Sequence, residues 1–444
     1  MLSKSGVKAA SFFSIGGQLY NIFIRFATNL ILTRLVTPED FGVMAVANII
    51  LLGTTLVSEV GLRQAIIRTE HDVSDRLLRT IFTVQVARGA LLAIVLLALS
   101  GVLIFYGASF PGVYSNPLLP YVIALIALNP LMVGFESTKI AVQGRNLTIG
   151  WNTLTETGAQ TLGLAVGIVA GLNGFGVWAL AIGPLVAGLF RVIMSHTLIP
   201  GRADAFGFDR EIFVEVFHFG KWVFLASLLG FVCFYGDQVI LAAWLNEHQL
   251  AMLALCFFML GIVRQLVSKF ANEVAFSKLS QVNRTQGGDV RKHYYKLRAP
   301  LDVLLLSFAG GCMISGEQII QFLYDPRFSD AGLYLGMLSL AMIFDRYLFF
   351  NSLLVALNAP KIVTQINLLR VILLVIGLPL ALTHGSIEWA VLYLGLYRVA
   401  TLPLIFFYKV KYGVMHLGFE ALSLLGVIPG VLAGFLFNFV MTLF

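Results

Sequence analysis

Three arginines lie inside consecutive apolar stretches in the C-terminal part of the sequence, each well away from the ends of its stretch: Arg346, Arg370 and Arg398. A charged side chain that faces lipid at the middle of a bilayer costs roughly 2.5–3.5 kcal/mol on insertion scales. Three such residues in succession are therefore predicted to turn toward a shared, hydrated interior. Because arginine recognises anions through planar, forked N–H donors, the predicted chemistry is binding of a negatively charged ligand.

The depth of these arginines decides whether they can share one ligand. At about 1.5 Å per helical residue, Arg370 and Arg398 lie about 18 Å below the outer surface, and Arg346 lies somewhat deeper. Since their two spans form a hairpin, Arg370 and Arg398 are predicted to contact the same ligand. The alternative is internal pairing, for example of Arg346 with its neighbour Asp345 or with carbonyl groups at helix ends.

Polar residues in other spans add three candidate site residues. Arg25 lies deep in the first span, and Asn21 and Asn29 precede and follow it by four residues, so the three form one polar stripe on a helix. This stripe either faces a cavity or makes interhelical hydrogen bonds. Arg264 is predicted to guide an anionic ligand from the cytoplasmic side. Asp237 either pairs with Arg25, binds a coupling cation, or belongs to an ion pair at the outer rim.

The composition is that of a membrane protein. Hydrophobic residues make up 58% and charged residues 12% of the 444 residues, whereas a soluble domain has about 25% charged residues. The net charge is +7, and the Lys and Arg residues concentrate in alternate connections between apolar runs. This pattern is typical of membrane topology, so no nucleic-acid partner is predicted. The sequence has no phosphate-binding loop or paired-histidine motif, and its three cysteines lie in apolar runs. No metal, disulfide or cofactor is therefore predicted.

The apolar runs predict about thirteen membrane-spanning helices, since a helix needs about 20 mostly apolar residues to cross a bilayer. The predicted spans are 9–34, 41–62, 80–106, 118–143, 149–171, 175–199, 217–244, 248–275, 299–324, 331–357, 362–383, 387–410 and 418–443.

The loops predict the orientation. Basic residues concentrate in alternate connections, of which the longest runs from Lys278 to Arg298, and another holds Lys409 and Lys411. By the positive-inside rule these connections are cytoplasmic, as is the N-terminus, and an odd number of spans places the C-terminus outside. The outer connections are too short to hold a folded catalytic domain.

A faint internal repeat predicts two parallel halves. The segment 13–16 near the start of the first span resembles 217–220 at the start of the seventh, and 178–180 in the sixth resembles 389–391 in the twelfth. The predicted fold is an all-α integral membrane protein with two parallel six-helix lobes, a binding site between them and one extra C-terminal helix. The predicted limits are 1–200 for the N-terminal lobe, 201–216 for a cytoplasmic linker, 217–411 for the C-terminal lobe and 412–444 for the extra helix.

The stretch Leu32-Thr-Arg-Leu-Val-Thr-Pro-Glu-Asp-Phe-Gly-Val-Met-Ala45 resembles the polysaccharide-transporter branch of the MOP exporter superfamily, the Wzx-type lipid-linked oligosaccharide flippases. Gly61-Leu-Arg-Gln-Ala-Ile-Ile67, Gly174-Phe-Gly-Val-Trp-Ala-Leu180 and Gly236-Asp237-Gln238 fit the same family, and the resemblance covers nearly the whole chain.

This resemblance implies a transporter, and not an enzyme, in the bacterial inner membrane. It would move an undecaprenyl-pyrophosphate-linked oligosaccharide from the cytoplasmic to the periplasmic leaflet by alternating access, for O-antigen, capsule or exopolysaccharide synthesis. Its partners would be this glycan lipid and the surrounding membrane lipids, with the polysaccharide polymerase machinery as a further candidate.

Two alternatives stay open from the sequence. The first is a cation-coupled multidrug or metabolite exporter of the same superfamily, against which the cationic interior argues. The second is a membrane-embedded glycan polymerase or glycosyltransferase, which would need a long outer loop that the sequence lacks.

Overall fold

The structure is a computed structural model that describes residues 4–59, 61, 62, 66, 74–146, 150–271, 275–284 and 289–443. Within these ranges the chain is helical almost throughout and contains no strand, which confirms the predicted all-α membrane fold. The chain divides into two compact units. One comprises Met1–Phe231 with Ala242–His248, and the other Val232–Leu241 with Gln249–Phe444.

The first unit is built from eight helices and most of a ninth. Their bounds are α1 Lys4–Leu35, α2 Pro38–Val57, α3 Asp75–Tyr106, α4 Leu119–Ile126, α5 Leu128–Gly134, α6 Lys139–Asn146, α7 Gly150–Leu172, α8 Val177–Thr197 and α9 Arg210–Trp244. Helix α7 packs against both α8 and α1, and α3 packs against α4 and α5.

The second unit contains the rest of α9 and ten further helices. Their bounds are α10 Glu247–Phe270, α11 Phe276–Arg284, α12 Val290–Leu323, α13 Ala331–Asp345, α14 Leu348–Ala356, α15 Pro360–His384, α16 Ile387–Leu396, α17 Leu402–Lys411, α18 Leu417–Ser423 and α19 Val427–Met441. Helix α12 packs against α13 and α19, and α16 packs against α13 and α15.

Ten helical segments of the described chain are long and apolar enough to cross a membrane, and an eleventh is the pair Leu119–Gly134 and Lys139–Arg145, bent by 58°. Helices α1 and α7 fill the two remaining predicted positions but are not among these ten. Helix α7 carries a polar first half, with Asn152, Thr155 and Glu156. The apolar runs were therefore placed correctly, whereas the number of spans, the lobe limits and the side of each terminus stay predictions.

In two predicted spans the α-helix is locally interrupted, although each remains one segment of membrane-spanning length. The run 331–357 divides into α13 and α14 around Arg346 and Tyr347, and the run 387–410 divides into α16 and α17 around the 3-10 segment Tyr397–Thr401. Pro403 contributes to the second break, because proline lacks the N–H that would bond the carbonyl group of Val399. That carbonyl group accepts from the N–H of Leu402 instead.

The motif at the start of α2 has a local structural explanation. The hydroxyl oxygen of Thr37 caps the helix by accepting a hydrogen bond of 3.3 Å from the N–H of Asp40, and Pro38 opens its first turn. A β-carbon at Gly42 would lie 2.0 Å from the carbonyl oxygen of Glu247. The motif therefore combines a helix start with a close backbone contact that only glycine permits.

Helix α19 approaches α12 closely at Gly430. A β-carbon at this position would lie 1.8 Å from the carbonyl oxygen of Ser307, which is backbone and has no rotamer to change. We expect Gly430→Ala to lower the free energy of unfolding by about 1–3 kcal/mol, the usual effect of overpacking. Thermal unfolding of the purified protein in detergent measures this as a lower Tm. The control Gly101→Ala, where no heavy atom lies within 4 Å of the added carbon, should not lower Tm; equal losses in both variants would contradict the contact.

Candidate functional site

Asp345 joins two arginines of the second unit. Its Oδ2 accepts a hydrogen bond of 2.8 Å from Nε of Arg264 on α10, and its Oδ1 accepts one from Nη1 of Arg398. Asp345 is the last residue of α13, and Arg398 lies in the 3-10 segment between α16 and α17. Two of the three residues thus lie at breaks within membrane spans, a kind of position where transporters often bind ligands and ions.

Arg370 lies beside this bridge on α15. Its side chain is 4% exposed and interacts electrostatically with Arg398 and Asp345. Among the described residues no carboxylate lies within ion-pair distance of Arg370, and its Nε has no hydrogen-bond partner. Its contact with Oδ1 of Asn367, at 3.5 Å, is long. Arg370 is therefore a buried cation with an unused donor.

Asp237 on α9 completes the assembly. Its Oδ1 accepts a hydrogen bond of 2.9 Å from the backbone N–H of Gln238, and its charge interacts with Arg398 and Arg264. We call Asp237, Arg264, Asp345, Arg370 and Arg398 the arginine group. With three cations and two carboxylates its formal charge is +1. A positive formal charge and several guanidinium donors suit an anion.

Arg346 lies outside the arginine group. Successive residues of a helix point about 100° apart, so Arg346 and Asp345 face different neighbours. Arg346 is paired internally, as the alternative to ligand binding proposed, but with Glu420 and Asp302 and not with Asp345. Nη1 of Arg346 donates to the hydroxyl of Ser423 at 2.7 Å, and Nη2 lies 3.7 Å from the carboxylate of Glu420. Its guanidinium group also stacks on the ring of Tyr347 at 4.9 Å.

Arg346 instead belongs to a second charged assembly, which we call the Glu420 cluster: Arg298, Asp302, Arg346, Lys409 and Glu420. Arg298 donates to Glu420 from Nη1 at 2.7 Å and from Nη2 at 3.0 Å, and donates from Nε to Asp302 at 3.0 Å. Lys409 also donates to Glu420. The cluster joins α12, α17 and α18 to the break after α13.

Aromatic side chains surround the Glu420 cluster. The hydroxyl groups of Tyr295 and Tyr347 each donate to Glu420 at 3.0 Å. Nζ of Lys409 lies 5.1 Å from the ring centre of Tyr294 and 5.2 Å from that of Tyr347. Arg298 and Lys409 are both 0% exposed, so their side chains lie inside the protein, while the cytoplasmic side of their connections stays a prediction. The sequence feature that could have predicted this buried cluster is the pair of carboxylates, Asp302 and Glu420, inside apolar runs.

Arg25 lies in the first unit, on α1, with an exposed side chain. In the described chain it makes no hydrogen bond or ion pair. Of its polar stripe, Asn21 contacts Thr157 on α7 at 3.5 Å, which fits the interhelical alternative for that residue. A role for Arg25 in ligand binding, or in pairing with Asp237 of the other unit, stays a prediction.

Two solved structures share this fold. The lipid II flippase MurJ in an inward closed conformation has a TM-score of 0.73 and 13% sequence identity, over 97% of this chain and 98% of that chain. An inward-facing multidrug resistance MATE family transporter of the MOP superfamily has a TM-score of 0.60 and 14% identity, over 94% of each chain. The chain thus has the fold of these two multi-helix membrane proteins.

The family is more specific. A family model described as "Polysaccharide biosynthesis protein" matches residues 31–332, well over half of the chain. The chain therefore belongs to this family, which confirms the resemblance to the polysaccharide-transporter branch. The succinoglycan biosynthesis transport protein ExoT of Rhizobium meliloti (strain 1021) is 22% identical over 320 residues, which are 72% of this chain. The matched region spans 62% of that relative's length.

Proposed function

We propose that this protein is a flippase that moves an undecaprenyl-pyrophosphate-linked oligosaccharide from the cytoplasmic to the periplasmic leaflet of the bacterial inner membrane. The arginine group binds the pyrophosphate during alternating access. The family membership and the shared fold with a lipid II flippase support this class of substrate.

The observation that carries the proposal is Arg370, a buried guanidinium group without a carboxylate partner in the described chain. An unpaired cation within a membrane span is unfavourable, and such residues commonly mark a substrate pathway. A pyrophosphate would supply both the missing charge and the acceptor for the unused Nε donor. Arginine suits this ligand because its donors match phosphate oxygens in pairs.

Asp345 has a defined part in this mechanism. Its carboxylate holds Arg264 and Arg398 in place through the two donors that a phosphate would use. Substrate phosphate therefore competes with Asp345 for the same guanidinium groups, and Asp345 pairs with them again after release. A buried charge that loses its partner is strongly destabilising. Because Asp345 pairs with Arg264 and Arg398 when no substrate is bound, these two arginines keep a partner throughout the cycle.

We expect Arg370→Ala to lower translocation of the glycan lipid about 10-fold or more, because a hydrogen bond to a charged group contributes about 1.5–3 kcal/mol. The measurement is transfer of undecaprenyl-pyrophosphate-linked glycan between leaflets of proteoliposomes, with equal amounts of folded protein. Arg202→Ala, an exposed arginine that pairs with Asp75, is the control and should translocate normally. Normal translocation by Arg370→Ala would remove the arginine group from the mechanism, and covalent change of the glycan would indicate an enzyme.

A further inference from the structure

A cavity of about 370 Å³ lies within the second unit. Its wall includes Phe234 of α9, Ser268 of α10, Phe276 of α11, and Leu348, Asn351 and Ser352 of α14. Four different helices thus contribute to it. None of the residues described above as paired lines this space.

The cavity lies beside the arginine group. Ser268 follows Arg264 by four residues on α10, and Phe234 precedes Asp237 by three on α9. Residues three or four apart on a helix share one face, with β-carbons about 5–6 Å apart. Leu348 begins α14 just past the break that follows Asp345. Helices α9 and α10 therefore each present one residue to the arginine group and another to the cavity, about one turn away, and α14 reaches the cavity just past Asp345 at the end of α13.

The lining combines two kinds of contact. Phe234 and Phe276 offer aromatic surface, while Asn351 and Ser268 offer an amide and a hydroxyl group. Neither polar side chain makes a hydrogen bond within the described chain. Of the described lining residues none is charged. An amide and a hydroxyl group suit the hydroxyl groups of a sugar, and aromatic surface suits its apolar C–H face.

From this geometry we infer that the cavity binds the sugar unit attached directly to the pyrophosphate, with Asn351 and Ser268 as its hydrogen-bonding residues. The inference rests on the proposed function, since the phosphate position is the arginine group. It extends that function because it assigns recognition of the first sugar to a separate set of residues, none of which is charged. Two sets of residues then select the lipid. The arginines bind the charged pyrophosphate, and the cavity residues bind the hydroxyl groups of the sugar.

The test is binding of defined lipids to the purified full-length protein. The probes are undecaprenyl pyrophosphate alone and the same lipid carrying one glucose, galactose or N-acetylglucosamine. We expect at least one glycosylated lipid to bind about 3- to 10-fold more tightly than the bare lipid, as one or two neutral hydrogen bonds would produce. In Asn351→Leu this preference should fall below about twofold, while the Kd of the bare lipid stays unchanged.

Controls separate the possible outcomes. Asn173→Leu, whose side chain donates only to the carbonyl oxygen of Val169 at the end of α7, should keep the full preference. Ser268→Ala repeats the test if Asn351→Leu does not fold. Equal binding of bare and glycosylated lipids by the wild type, or a preference that survives both variants, would overturn the sugar assignment alone. Bare-lipid binding that is absent, or insensitive to Arg370→Ala, would instead overturn the proposed function and this inference with it.

Discussion

Replacing Arg398 by alanine is expected to lower translocation of the lipid-linked glycan by about one to two orders of magnitude. One hydrogen bond to an ionised partner is worth about 1.5–3 kcal/mol, and Arg398 presents several donors. The variant also leaves Asp345 paired only with Arg264. The loss of translocation therefore has two causes: the phosphate site has fewer donors, and Arg264 is positioned differently by Asp345.

Leaflet-to-leaflet transfer in proteoliposomes measures this effect, with the amount of folded protein determined by size-exclusion chromatography. Arg398→Lys should recover only part of the activity, because lysine keeps the charge but lacks the planar fork of donors. If both variants translocate the glycan at the wild-type rate, Arg398 does not contact the substrate and its pair with Asp345 is purely structural.

The largest effect on stability is expected at Glu420. Glu420→Gln should lower the free energy of unfolding by about 3–5 kcal/mol, the usual cost of removing one partner from a buried ion pair. Glu420 accepts hydrogen bonds from Arg298 and Lys409 and lies 3.7 Å from Arg346, so its loss leaves three buried cations with only Asp302. The readout is the Tm of the purified protein together with its level in the membrane.

A double substitution tests whether charge imbalance is the cause. Glu420→Gln with Lys409→Met removes one charge of each sign and should recover part of the lost stability, since residues in contact have coupled effects. Glu211→Gln, at an exposed position, serves as the control and should leave Tm nearly unchanged. A Glu420→Gln protein as stable as the wild type would show that Glu420 does not balance the cluster.

The two charged assemblies thus differ in what their substitutions should change. The arginine group is partly accessible and holds Arg370 without a carboxylate partner in the described chain, so its variants should fold and lose transport. The Glu420 cluster is almost completely buried and joins the short helix α18 to α12 and α17. Substitutions in the Glu420 cluster should therefore mainly reduce the amount of folded protein.

Much of the candidate site was predictable from residue type and position alone. Arg264, Arg370, Arg398 and Asp237 stand out because charge within an apolar run is costly unless it faces water, a partner or a ligand. The hairpin of neighbouring spans also indicated that Arg370 and Arg398 would lie close together. The central role of Asp345 was missed, because hydropathy shows that a charge lies within a span but does not show which partner it meets.

The sequence by itself determined the class of protein, the positions of the apolar helices and the presence of buried cations, because these follow from composition and from the thickness of a bilayer. Tertiary structure alone decided how the charges are paired. Asp345 pairs with Arg264 and Arg398, whereas its chain neighbour Arg346 lies beside Glu420. Such pairings join residues far apart in the chain, so they depend on how the helices pack and not on local spacing.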